Sequence, residues 1–324
     1  MRAFCIGLSA LALSGCETLA YYGQAVGGHL ALVGSAQPVA QVLADPAAAP
    51  VLKERLKLAG DIRDFATRKL GLPDNGSYRS YTDLGRPYAV WNVVAAPEFS
   101  LKPAQSCFPV AGCVNYRGYY DKARAERHTS ELRAAGNDVV VFGVPAYSTL
   151  GWFDDPLLST FIGYAEPDLA RLVFHELAHQ LLYVKGDSTF NESFAVAVER
   201  EGVRRWLAAQ GRAAAPVHSP PAQIAEVRAR LEALYRTRLA PQAMRERKRA
   251  ELEALRPLMA RMPAFEGQEP NNAFLASYAT YTELVPEFER FLSQARGDLP
   301  KFYARAKQFA SERSSQGPSS APRP

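Results

Sequence analysis

Four cysteines in 324 residues are too few to staple a fold together. The chain must therefore rely on a hydrophobic core, and at 48% hydrophobic it has material for one large domain or two modest ones. A long apolar run is also missing, since the stretch after Arg2 is too short to span a bilayer as a stable anchor. So is an excess of one charge. The 38 basic residues are offset by 33 acidic ones and form no concentrated stripe, which removes the electrostatic footprint of a nucleic-acid binder. The densest basic run, Met244 to Arg256, alternates sign at helical spacing and reads as a solvated helix face. No internal repeat is visible.

The N-terminus carries Arg2, an apolar stretch and then small residues, the pattern of a secretion signal over residues 1–15. Leu13-Ser14-Gly15-Cys16 resembles the bacterial lipobox, whose cysteine receives lipid before cleavage ahead of it. That resemblance implies a mature chain starting at lipidated Cys16, a cell-envelope lipoprotein facing the periplasm. Glu17 stands where, in bacterial lipoproteins, an aspartate favours inner-membrane retention, so the outer membrane is the expected site. Cys5 leaves with the signal. Cys107 and Cys113 remain as a close pair, which an oxidising compartment allows to form a disulfide; a two-cysteine metal site has no histidine in that segment to complete it.

Organisation along the chain predicts an α+β fold. "APVLKERLKLAGDIRDFATRKLGLPD", residues 49–74, has apolar residues at helical spacing and stops at Gly71 and Pro73. "SYRSYTDL" and "YAVWNVVAA" read as strands around a turn, "VNYRGYY" as a further strand, and after a helix "NDVVVFGVPAYSTLGWF" begins as a buried strand. Beyond Pro167 everything reads as helix, including a hairpin broken at Ala240 and Pro241. A small N-terminal mixed sheet, within residues 45–165, is followed by a mostly helical half over residues 166–310. Residues 311–324 are too polar and Pro/Ser-rich to pack and are expected to be disordered.

Of only five histidines in the chain, two fall in "FHELAHQ". Pro167 suits the first turn of a helix and Lys185-Gly186 its end, so His175 and His179 stand one turn apart on one face. Both imidazoles can then reach one ion, with Glu176 beside it as general base: the HExxH arrangement for Zn²⁺. The helix is apolar around most of its circumference, where unsatisfied histidines and a carboxylate incur a heavy desolvation cost. A third ligand should come from a neighbouring element, and a second helix starting near Phe190 offers Glu192. Thr189-x-x-Glu192 also fits a capping box, which would turn Glu192 onto the backbone, but the upstream HExxH favours the ligand. Glu199, two turns further, is the alternative ligand.

HExxH followed by Asn-Glu-x-Phe-Ala resembles the gluzincin metallopeptidases, with a shorter gap between His179 and Glu192. Through "CFPVAGCVNYRGYY", "AYSTLGWFDDPLLSTF" and "NNAFLASYATYTELVPEFE" as well, the chain resembles the putative aminopeptidase family of bacterial lipoproteins over nearly all its mature length. The resemblance implies a zincin-like fold whose edge strand, "VVVFGVPAYSTLGWF", pairs with extended peptide. It also implies that Tyr281 stabilises an oxyanion. Asn271-Asn272 are candidates to orient substrate, and Asp154-Asp155 to recognise a free amine or simply to form an acidic turn. The expected function is a lipid-anchored zinc peptidase, aminopeptidase-like, acting on peptides or small proteins. It would touch the membrane only through its lipid and would not bind nucleic acid; its oligomeric state is open. The rival is a non-catalytic, zinc-stabilised lipoprotein whose helical hairpin docks a protein partner.

Overall fold

A computed structural model describes residues 21–108, 112–213 and 222–315. The signal segment and Cys16 lie outside the described residues. The described part begins with helices: α1 over residues 21–34, α2 (Val39–Ala44) and α3 (Pro50–Leu70). Pro50 presets the first turn of α3, and Gly71 ends it in the left-handed region at φ 67°, the usual asymmetry of helix ends.

Among the described residues, eight short strands make three small sheets. The central one has the order β6 (Arg117–Tyr119), β3 (Val90–Pro97), β7 (Asn137–Val144), antiparallel throughout. Side chains alternate across it: Val93, Ala95 and Val139 pack on Ala125 of α4 (Lys122–Ala134), while Val94, Ala96 and Val140 face a second core. Covered on both faces, β3 is apolar at every position but Asn92, which is itself buried. β1 (Gln37–Pro38), β2 (Ser80–Thr82) and β8 (Leu157–Leu158) form another sheet. Consequently "SYRSYTDL" and "YAVWNVVAA" are not partners around a turn. β2 is already flanked by β1 and β8, and Thr82 is further engaged by Leu32 and Ser159, so no side of it is left for β3.

β4 (Ser106–Phe108) and β5 (Gly112–Val114) form a hairpin in which Cys107 and Cys113 are cross-strand partners joined by a disulfide. Gly112 is needed at its seat: φ is 78°, and a Cβ there would meet the Gly186 amide nitrogen at 2.7 Å.

The helical half comprises α5 (Glu166–Leu181), α6 (Ser188–Ala209), α7 (Ala222–Tyr235), α8 (Pro241–Glu253), α9 (Arg256–Met259), α10 (Asn272–Thr282), α11 (Val285–Gln294) and α12 (Leu299–Ser315). The main core joins α3, α5, α6, α11 and α12 through residues such as Ile62, Phe174, Phe194, Phe288 and Phe302. The α7–α8 hairpin packs on the body. Ile224, Val227, Leu231 and Leu252 are buried with Phe274 of α10 against the central sheet. The basic face of α8 is therefore not wholly solvated: Lys248 is buried, 2.6 Å from Asp138 and donating to the Glu98 carbonyl. Residues 311–315, expected to belong to a disordered tail, instead continue α12, which runs to Ser315, and Arg313 pairs with Asp187 at 2.7 Å. Residues 316–324 lie outside the described residues. No described helix is long and apolar enough to cross a membrane.

Candidate metal centre

α5 and α6 lie against one another and are pinned at both ends. At the start of α5, Glu166 accepts from the Trp206 indole, Gln210 and Arg212 at the end of α6. At the other end, the Asn191 side chain makes two hydrogen bonds to the Val184 backbone, accepting from its N–H at 2.7 Å and donating to its carbonyl at 2.8 Å. That clamp holds the connection extended, and Leu182 already has φ −149°, so α5 stops at Leu181 instead of running to Val184. Asp187 caps α6 by accepting from the Phe190 amide, which places Thr189 inside the helix and removes the capping box considered for Glu192.

Glu192 instead faces α5. Its Oε2 is 3.2 Å from His175 Nε2 and 3.7 Å from His179 Nε2, and the two Nε2 atoms are 3.2 Å apart. All three side chains offer ligand atoms within 4.8 Å of one another. Glu199, seven residues beyond Glu192 on the same face of α6, lies 2.8 Å from His175 Nδ1. If Nδ1 carries the proton toward Glu199, Nε2 has only a lone pair to present, beside a second imidazole nitrogen and a carboxylate oxygen. Three converging donors of that kind repel unless a cation lies between them. Their spacing also fits, since ligands about 2.0–2.1 Å from a tetrahedral zinc sit roughly 3.3 Å from each other. The donor set thus suits a divalent metal with nitrogen and oxygen preference.

A proton on His175 can also supply the positive charge that this cluster calls for. Burial opposes the charged form of His175, yet the hydrogen bonds of Glu192 and Glu199 hold its pKa well above the ordinary imidazole value. For Glu192 burial raises the pKa, but His179 and His175 outweigh it and bring it down to about 2. The pocket, in short, is built for positive charge. Glu176 is pushed up, mainly by burial. A cleft of about 450 Å³ opens on His175 and Glu176, walled by Tyr164, Asp168, Arg171, Leu172 and Glu199.

The Tyr281 ring lies 6.4 Å from that of His175, tilted by 28°. Burial, then Glu192, keep its phenol protonated well above the usual range. Tyr116, read in the sequence only as part of a strand, has the same character: burial and then Glu192 raise its pKa. Only tertiary structure brings Tyr116 here, and nothing in its local sequence marks it.

Other candidates have structural duties. Asn271 caps α10 and donates to Val139 O, and Asn272 is fully buried, donating to the Pro97 and Glu98 carbonyls. Neither is free to orient substrate. Asp155 is buried, accepts from the Thr149 amide, and is raised by burial to about 6, so it organises its turn; Asp154 beside it is exposed. β7 is an edge strand, as expected, but its outer side is occupied: Gln268 pairs with both Val141 N and O, and Asn271 with Val139 O. A peptide cannot add there without displacing them.

These features define an α+β protein with a candidate metal centre of two histidines and one glutamate. The chain belongs to the family described as "Putative aminopeptidase", whose model matches residues 20–318 and so includes the whole of α5 and α6. No curated protein and no solved structure matches it.

Proposed function

We propose that the protein is a zinc-dependent peptidase of aminopeptidase type, held at the cell envelope by lipid on Cys16. The observation that carries this reading is the convergence of His175, His179 and Glu192 with Glu176 next to them on α5, at the mouth of a cleft. His175 Nε2, His179 Nε2 and Glu192 would hold Zn²⁺, leaving a fourth position open, as a hydrolytic site requires. When bound, the metal supplies Lewis acidity, polarising a carbonyl and acidifying water.

The remaining work falls to the chain's own groups. Glu176, its pKa lifted by burial, takes the proton of the attacking water and returns it to the leaving amine. Glu199 holds His175 in the tautomer that directs Nε2 inward. Tyr281, held protonated, is a hydrogen-bond donor for the developing oxyanion. The rival reading loses support because the α7–α8 hairpin spends its apolar residues on the body, and because a purely structural zinc has no need of a carboxylate placed as Glu176 is.

The test pairs metal analysis with digestion of an unbiased peptide library on the same preparations. His175→Ala, His179→Ala and Glu192→Gln should lose zinc and thermal stability together, since binding to the native state contributes to folding. Glu176→Gln should keep about one zinc while hydrolysis falls at least about a hundredfold. Full activity in Glu176→Gln would sink the mechanism; retained zinc in Glu192→Gln with loss in Glu199→Gln would move the third ligand.

A further inference from the structure

Between Glu17 and Asp45 there is no formally charged side chain, in a protein of which 22% of residues are charged. Most of that span is α1. Its outward face carries Val26 and Leu30, 57% and 61% exposed and one turn apart, with Gly23, Gly27, Ala31 and Gly34 completing it. Beside them the His29 ring lies 4.7 Å from the ring of Phe153, which brings the loop after β7 against the same helix. At the tip of that loop Trp152 and Phe153 are 72% and 54% exposed. Burial lowers the pKa of His29, so it adds no charge. The neighbouring Asp154 has its carboxylate against the Gly76 backbone. Two elements far apart in sequence thus present one apolar surface to the outside, with aromatic residues at one end.

We infer that this surface rests on a lipid bilayer. The inference builds on the reading of Cys16 as lipid-bearing. Only four residues separate Cys16 from Tyr21 at the start of the described helix, and the five residue steps between them reach at most about 18 Å when extended. A lipid at Cys16 therefore holds α1 within reach of the interface, where an uncharged helix face and a Trp-Phe tip have favourable partners in the headgroup and acyl boundary. The docked loop is also close to the candidate centre, because Gly151 packs on Gln180, the residue after His179. Docking would fix the orientation of the centre relative to the membrane.

Tryptophan fluorescence tests this on the full acylated protein, reconstituted in phosphatidylethanolamine–phosphatidylglycerol vesicles whose acyl chains are brominated. Native protein should be quenched, and the quenching should be lost in Trp152→Phe, leaving only Trp91 and Trp206 emission. A Val26→Asp, Leu30→Asp double variant should stay with the vesicles through its lipid and lose the quenching too. Unquenched Trp152 in a protein whose intact mass includes the acyl groups overturns the docking alone. A mass without acyl groups overturns the anchor reading and takes the docking with it. A dimer in detergent that the double variant dissociates assigns the face to a second copy and also overturns the bilayer as its partner.

Discussion

At the scale of single residues, what could be read in advance depended on whether a role is local. His175, Glu176 and His179 share one helix, so periodicity alone brings them together, and the structure keeps them so. Glu199 is different. Its spacing from Glu192 places both on one face of α6, but only the packing of α6 on α5 decides that Glu192 meets Nε2 and Glu199 meets Nδ1. Asn271 and Asn272 failed for the converse reason: a polar pair at a helix start looks available in the sequence, and is spent on capping and on buried carbonyls. The assignment of Glu199 has its own test. Glu199→Gln retains size and one acceptor but weakens the hold on the His175 proton, so zinc affinity should fall about 10–100-fold while the stoichiometry at saturation is kept. Competition with a chelator of known affinity measures it. An unchanged affinity, or a site that cannot be filled at any zinc concentration, would be inconsistent with an outer, orienting role.

At the scale of elements, helices were legible and their ends less so. α3 stops at Gly71 because glycine accepts the left-handed conformation there, a signal that is in the sequence. α5 stops early because Asn191, ten residues beyond Leu181, clamps Val184, a signal that is not. Two helical glycines show how far local propensity carries. In isolation, glycine inside a helix costs up to about 1 kcal/mol relative to alanine. A Cβ at Gly60 in α3 would meet nothing within 4 Å, so Gly60→Ala should stabilise by roughly 0.5–1 kcal/mol. At Gly202 in α6 a Cβ would meet Phe174 Cδ2 at 2.6 Å and Leu70 Cδ1 at 2.9 Å. There the clash dominates, and Gly202→Ala should destabilise by about 1–3 kcal/mol despite its better propensity. Because Phe174 precedes His175, the same substitution should also lower zinc affinity. Urea unfolding of the two variants side by side decides the matter; equal shifts of one sign would mean that the α3–α5–α6 packing is looser than described.

At the scale of the whole molecule, strand pairing was the least legible feature. Which strand joins which sheet depends on partners far apart in sequence, such as β2 with β8, and short strands carry little register information. The compartment, by contrast, is an expectation that rests on sixteen residues at one end, all of them outside the described residues. A disulfide joins Cys107 and Cys113, a bond that reducing conditions would disfavour, and the uncharged α1 follows directly after the proposed anchor. The proposed anchor would depend on one sulfur, because acyl transfer uses the cysteine thiol and serine offers a hydroxyl that is far less nucleophilic at neutral pH. Cells fed a fatty-acid analogue should therefore label the native chain and leave Cys16→Ser unlabelled, with the variant accumulating as a soluble form or an unprocessed precursor. The candidate metal centre lies on α5 and α6, remote in sequence from residue 16, so purified Cys16→Ser should bind zinc as the native protein does. Label persisting on the variant would remove the lipid anchor from the reading, while loss of zinc in an unlabelled variant would show that anchoring and the metal centre are coupled through the body of the protein.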